Sequence, residues 1–264
     1  MALGNNGVMT ADPGQGHEPP EVSAPSDADV VLADQYLRSL YATAYEALAA
    51  IVRSAPPGQV VEVGAGTGVA RGLGHRWWRA DVSEDASLDV VADARNLPFA
   101  SRSLSALVLK DTLHHIADVD AFLDEAGRVL RPGGVVAVFD PYWGPLARAV
   151  YRHLHQEPYD DRSETWSFEA SSPWSSNQAL SYLMLVRDRT RLATRWPNLT
   201  VEPGVPLVGP SFLLSGGVSR RTPVSGRLLA GMLRWEKRRG PWFDVCRFFH
   251  VFALRAAGSE DGHR

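Results

Sequence analysis

Two periods of hydrophobic positions run along the chain. From Val31 to Val52 (VLADQYLRSLYATAYEALAAIV), Leu37, Tyr41, Ala44, Leu48 and Ile51 recur three or four apart, which predicts an amphipathic helix. Pro56-Pro57-Gly58 ends it. Short apolar runs follow, each read as a strand: Val60–Val63, Trp77–Val82, VVAD ending at Asp93, LSALVLKD ending at Asp111 and VVAVFD ending at Asp140. A helix is predicted from Val119 to Leu130, with Phe122, Leu123, Ala126, Val129 and Leu130 on one face and Asp118 as its N-cap. Arg131-Pro132-Gly133-Gly134 is read as its stop. Beyond Asp140 the pattern loosens. Helices are predicted over about 177–195 and 226–238, and FFHVFALRA (248–256) reads as a last strand.

Short, fully apolar strands alternating with helices or loops predict an α/β fold with a doubly wound, mostly parallel sheet buried on both faces. Ligands of such sheets lie at the carboxyl ends of strands, near the point where strand order reverses. Four of the predicted strands carry an acid at or near that end: Glu62, Asp81, Asp93 and Asp111. Each acid alone reads as a turn cap. Several beside a glycine-rich loop read as the lining of a ligand site.

That loop is VVEVGAGTGVARGLG (60–74), with glycine at 64, 66, 68, 72 and 74. Glycine costs backbone entropy, so the cluster needs a sharp turn or a close approach to explain it. A dinucleotide-binding loop would read G-x-G-x-x-G, but Val69 stands where the last glycine belongs. Several segments in order resemble class I S-adenosylmethionine-dependent methyltransferases: EVGAGTG at 62–68, RADVS at 79–83, VVADARNLPF at 90–99, LHHIADVDAFLDEAGRVLRPGG at 113–134 and VVAVFD at 135–140. In the C-terminal half, YRHLHQEP, SNQALSYLMLVRDR and FLLSGGVSRR resemble one bacterial branch of that superfamily.

The resemblance implies a seven-stranded Rossmann-like sheet with a C-terminal insertion or lid, and S-adenosylmethionine (SAM) as cofactor. It implies that Gly64, Ala65, Gly66 and Gly68 pack against the methionine moiety and ribose. Glu62 buttresses the loop or meets the cofactor amino group, and Asp81 accepts from the ribose hydroxyls. Asp93, with the Ala94 backbone, holds the adenine amino group. Asp111 lies near the methionine end and the acceptor. The domain is then 28–256, divided into a SAM-binding core (28–140), a substrate-selecting insertion (141–247) and the last strand (248–256).

Composition adds bounds. The chain has 264 residues, 45% hydrophobic and 22% charged, with a formal net charge of −3. That balance gives no electrostatic reason to expect nucleic acid. The single cysteine, Cys246, rules out an intrachain disulfide and suits a reducing cytoplasm; its apolar neighbours predict buried packing. No apolar stretch reaches membrane-spanning length. Residues 1–27, rich in Gly, Pro and acid, read as a disordered leader, and 257–264 as a flexible tail.

Methyl transfer from a sulfonium is an in-line displacement, and a weak oxygen nucleophile also needs a base. In KDTLHHIAD, a helical turn would set Asp111 and His115 on one face, four apart, as an acid-oriented imidazole. His115, Asp111 and His114 are therefore the catalytic candidates, with His114 expected to point elsewhere. His153, His155 and Glu157 alternate and would share a face in an extended segment, as metal ligands, substrate contacts or surface groups; without a further ligand in the pattern no metal is expected. Tyr41 and Tyr45 serve as a cofactor cover or as core. Trp143, Trp166 and Trp174 are candidates to line an apolar pocket, and Arg220 and Arg221 to meet an anionic group.

The expected activity is methyl transfer from SAM to a small-molecule or glycan-intermediate acceptor, foremost at oxygen. The rival readings are a non-catalytic SAM-binding partner protein, a nicotinamide-dependent oxidoreductase and, against the net charge, a nucleic-acid methyltransferase.

Overall fold

Seven strands form one sheet in the order β3-β2-β1-β4-β5-β7-β6. They are β1 Gln59–Val63, β2 Trp78–Asp81, β3 Val90–Val91, β4 Leu104–Lys110, β5 Leu130–Pro141, β6 Leu199–Leu207 and β7 Phe249–Ala256. The computed structural model describes residues 26–83, 87–169, 175–216 and 222–258. Residues 1–25, read from the sequence as a leader, Trp174, Arg220 and Arg221, and residues 259–264, read as a tail, lie outside the described residues. Strands β1 to β5 pair in parallel. β7 runs antiparallel to β5 and to β6, so β7 alone is reversed. Strand order reverses between β1 and β4, which marks their carboxyl ends as the ligand crevice.

Period-two alternation assigns the faces. Leu107 and Leu109 of β4 and Val136 and Val138 of β5 face one core with Phe122, Leu123, Ala126 and Val129 of α4 (Val119–Val129). Val108, Ala137 and Phe139 face the other core with Tyr36, Leu40 and Leu48 of α2 (Gln35–Val52). Both faces are covered, so the central strands read as unbroken apolar runs. Asp118 caps α4 as its position predicts, its side chain accepting from the Ala121 N–H at 3.1 Å.

Several boundaries differ from the sequence reading, each for a local reason. The helix predicted over 31–52 is two helices, α1 (Asp27–Ala33) and α2, because Asp34 is extended and caps the Leu37 N–H at 2.8 Å. Helix α1 already starts at Asp27, with Ser26 and Asp29 forming a capping box, so Asp27, assigned to the leader from the sequence, is helical. Arg131-Pro132-Gly133-Gly134 does not separate α4 from β5. The chain enters β5 at Leu130, and a register shift against β4 with Gly133 at φ 77° absorbs these residues. The helix predicted over 177–195 is divided. A short α6 (Leu180–Tyr182) runs into a π turn over Leu183–Arg187 and then α7 (Arg189–Arg195).

β6 escaped the pattern because LTVEPGVPL carries two prolines and a glycine. Such a segment is tolerated at a sheet edge, and its register shifts between Glu202 and Val205. Since β6 belongs to the main sheet, 141–247 is not one insertion. It is two elaborations. One holds α5 (Pro145–His153), α6 and α7 between β5 and β6; the other holds α8 (Pro210–Ser215) and α9 (Gly226–Glu236) between β6 and β7. Buried Glu236 ties the second together, accepting from the N–H groups of Gly209 and Ser211 and from the Ser211 hydroxyl. Trp166 is core rather than pocket lining: it is buried, stacks on Trp196 and donates to Asp188 at 2.9 Å. Trp143 lines a cavity of about 360 Å³ with Pro145, Arg148 and Arg152. Cys246 is half-buried rather than fully packed.

Candidate active site

The loop after β1 turns through Gly64, Gly66 and Gly68 at φ 72°, 48° and 84° and leads into the single turn of α3 (Val69–Gly72). These glycines answer to different neighbours. A Cβ on Gly64 would lie 2.4 Å from the Thr112 methyl, and one on Gly68 would lie 2.9 Å from the Arg79 guanidinium. A Cβ on Gly66 would meet nothing within 4 Å. Gly64 is thus demanded by packing as well as by φ; Gly68 is demanded by φ, its only near neighbour being the movable end of Arg79, and Gly66, also at positive φ, faces open space. Thr67 closes the loop from outside, its hydroxyl accepting from the Ala28 N–H of α1 at 2.9 Å.

The acids at the strand ends do unequal work. Glu62 is buried, and Oε1 accepts from the Tyr45 hydroxyl of α2 at 2.5 Å while Oε2 has no partner. Burial drives its carboxyl up to about 7 against the pull of Tyr45 and Lys110. Asp81 holds the loop: Oδ2 accepts from the Gly66 N–H at 2.9 Å, and Oδ1 accepts from the Ser83 N–H and hydroxyl. Asp93 is forked by Arg95, with contacts down to 2.6 Å, and the guanidinium holds its carboxyl below the usual range. Ala94 beside it is buried. Asp111 sits at φ 52°, with Oδ2 accepting from the Lys110 ammonium at 2.5 Å and Oδ1 buried without a partner. That ammonium also lies 3.4 Å above the Tyr41 ring.

The helical turn expected at KDTLHH does not form. Asp111 has left-handed backbone, and only Leu113–His115 make a 3₁₀ turn, so Asp111 and His115 share no helix face. The histidine with a carboxylate partner is His114. It is buried, and its Nδ1 lies 2.7 Å from Oδ1 of Asp140, the acid that ends β5. Asp140 is fully buried and also accepts from the Ser181 hydroxyl at 3.3 Å. On the other side, His114 Nε2 lies 3.5 Å from Oε2 of Glu157, and His115 Nε2 lies 3.9 Å from the same oxygen. The two imidazoles sit 4.3 Å apart, centre to centre.

Charge explains the titration of this cluster. His114 resists burial because two carboxylates flank it, and it is pushed up to about 10. Glu157 is held down at about 2, the imidazoles outweighing its own burial. Burial and the neighbouring His114 both lower His115.

Glu157 reaches His114 and His115 through a clamp. Asn177 accepts from the Asp160 N–H and donates to the Asp160 carbonyl, and Gln178 N–H donates to the Pro158 carbonyl at 2.9 Å. The Asn177 N–H bonds the His114 carbonyl at 2.9 Å. Ser176 and the Gln178 side chain donate to Glu157 Oε2. The segments HQEPYD and SNQ therefore form one unit over His114 and His115. The alternation of His153, His155 and Glu157 does not create a shared face, since His153 ends α5, exposed, while Glu157 turns inward. Asp140 and Lys110 are site residues that sequence reasoning passed over. Asp140 carried a readable signal, as one more acid ending a strand beside the glycine loop.

Residues 61–138, from β1 through most of β5, match the family model described as a methyltransferase domain. This segment is a methyltransferase domain. The strand order and the single reversed strand make this one seven-stranded, doubly wound α/β sheet, parallel except for β7. A demethylmenaquinone methyltransferase of Parafrankia sp. (strain EAN1pec) is 29% identical over 119 residues, 41% of this chain and 46% of its own length. A ubiquinone/menaquinone biosynthesis C-methyltransferase UbiE of Burkholderia mallei (strain SAVP1) is 31% identical over 117 residues, 36% and 48% of the two chains. The chain spans about half the length of the curated relatives it matches. Among solved structures, a geranyl diphosphate methyltransferase in complex with SAM aligns over 93% of each chain at 15% identity, with a TM-score of 0.48. Among the described residues, no helix is long and apolar enough to cross a membrane.

Proposed function

We propose that the protein transfers a methyl group from SAM to a hydroxylated small-molecule acceptor. The observation that carries this reading is a cradle at the carboxyl ends of β1 and β4. Gly66 faces open space there, and two buried carboxylate oxygens, Glu62 Oε2 and Asp111 Oδ1, lack partners. Orphaned buried acceptors are costly, and a cationic amino group supplied by a ligand would satisfy them. SAM fits that donor set, and when bound it supplies an electrophilic methyl on a sulfonium.

Glu62 and Asp111 would hold the amino-acid end, and Gly64 to Gly68 the methionine and ribose. Asp81 would turn from the Gly66 N–H to the ribose hydroxyls. Because Arg95 already occupies Asp93, the adenine contact would rest more on the Ala94 backbone. The His114–His115–Glu157 cluster would meet the acceptor and stabilise its hydroxyl as the oxyanion. That activation serves methylation of the oxygen itself or of the adjacent carbon. The relatives named as C-methyltransferases favour carbon over the oxygen, or the glycan acceptor, expected from sequence. The single cysteine fits a reducing, cytoplasmic setting.

Two glycine substitutions separate packing from binding. Gly64→Ala is expected to cost about 2–3 kcal/mol in urea unfolding, from the clash with Thr112 and the positive φ. Gly66→Ala is expected to cost only about 1–2 kcal/mol, yet to weaken SAM binding at least tenfold. An equal loss of SAM affinity per unit of lost stability in the two variants would count against a ligand at Gly66.

Turnover is tested by S-adenosylhomocysteine release with hydroxylated aromatic and quinol acceptors, and the methylated atom by mass spectrometry. His115→Ala is expected to lower kcat about 10²–10⁴-fold with SAM affinity unchanged. Unaltered turnover in that variant would remove the histidine cluster from the reaction.

A further inference from the structure

We infer that His114, His115 and Glu157 form a binding site for one divalent transition-metal ion of the zinc class. No sequence spacing announces it: the ligands come from the turn after β4 and from the segment after α5, 42 residues beyond His115. One ligand atom from each of the three residues lies within 4.8 Å of the others.

Three features of the geometry point to a metal rather than to a simple ion pair. First, both imidazoles have their Nδ1 committed outward: His114 to the Asp140 carboxylate at 2.7 Å and His115 to the Ser175 carbonyl at 3.3 Å. Nδ1–H donation to an oxygen turns Nε2 inward, as in metal-bound histidines, and an ion bound there would displace the Nε2 proton that the flanking carboxylates otherwise hold on His114. Second, both Nε2 atoms converge on one oxygen, Glu157 Oε2, at 3.5 and 3.9 Å. Those separations are long for a charge-assisted hydrogen bond, about 2.7–2.9 Å. They lie close to the ~3.3 Å edge of a tetrahedron built on metal–ligand bonds of about 2.0–2.1 Å. Third, the carboxylate is itself held, by Ser176 and Gln178, as ligating carboxylates commonly are.

Two imidazoles and a carboxylate suit zinc or its first-row neighbours rather than magnesium or calcium, which prefer all-oxygen sites. Three protein ligands leave a coordination position open. The His115 side chain is 31% exposed, so that position is reachable by an acceptor oxygen from solvent. Binding of this ion needs no SAM, so the site stands or falls independently of the methyl-transfer reading.

The test uses the untagged full chain, stripped with a chelator and titrated with Co²⁺ by visible absorption and with Zn²⁺ by calorimetry. One ion per chain is expected, with d–d bands for Co²⁺. His115→Ala and Glu157→Gln are each expected to weaken both titrations at least tenfold while circular dichroism stays native. His153→Ala, on the exposed end of α5, is expected to bind as wild type does. Absence of one-to-one binding, or unchanged affinity in either His115→Ala or Glu157→Gln, overturns the site.

Discussion

Asp140→Ala is expected to lose about 3–5 kcal/mol of stability at neutral pH, the cost of stripping one partner from a buried charge pair. Asp140 is fully buried at the carboxyl end of β5, and its Oδ1 lies 2.7 Å from His114 Nδ1. Removing it leaves the imidazole of a buried histidine facing a void, with Glu157 at 3.5 Å as its remaining charged neighbour. The Ser181 hydroxyl loses its acceptor as well. Asp140→Asn keeps the volume and one acceptor oxygen, so a smaller loss is expected. Urea unfolding at constant m-value measures both. A change below about 1 kcal/mol in Asp140→Ala would show that the pair contributes little, and that His114 is held by its packing alone.

Glu62→Gln is expected to do the opposite to stability and to harm binding. Burial raises the Glu62 carboxyl from 4.5 to about 7, so the fold favours the protonated acid. In the unfolded chain the group ionises near 4.5. Wild-type stability therefore falls as pH rises through the window from about 4.5 to 7, then levels. The penalty above that window is about 3 kcal/mol, taking 1.36 kcal/mol for each unit. Glutamine escapes it, so the variant is expected to be more stable than wild type at pH 8 and closer to it at pH 5. The charge that destabilises the empty fold is the one a cationic amino group would meet. SAM affinity is accordingly expected to rise with pH through 7 in wild type, and to be at least tenfold weaker and flat with pH in Glu62→Gln. Such an exchange of stability for binding is a recurrent property of functional sites. Equal affinity in the two proteins would remove Glu62 from the cofactor site.

The parts of the fold that were legible in the sequence are those where one local signal dominates. The strands through Val63, Lys110 and Phe139 are apolar on both faces, and α4 has both its cap at Asp118 and its apolar stripe. The glycine loop was legible for the same reason, because positive φ selects residue type. β6 was not, since its Pro203, Gly204 and Pro206 suit an edge position that only the finished sheet defines. The histidine cluster was half legible. The spacing of Asp111 and His115 suggested an acid–imidazole pair through helix geometry, but the left-handed backbone at Asp111 breaks the helix. The pair forms instead between His114 and Asp140, adjacent strand ends brought together by β4–β5 pairing. Glu157 joins through the Asn177 clamp, a contact between distant segments that no periodicity encodes.

Calorimetric titration of the purified protein with SAM, in parallel with NAD(H) and repeated on Gly66→Ala, tests the central claim most directly. Micromolar SAM binding, at least tenfold weaker in Gly66→Ala, with no NAD(H) binding, is the expected result. Folded protein that binds no SAM, or that binds it equally well with alanine at 66, would contradict it.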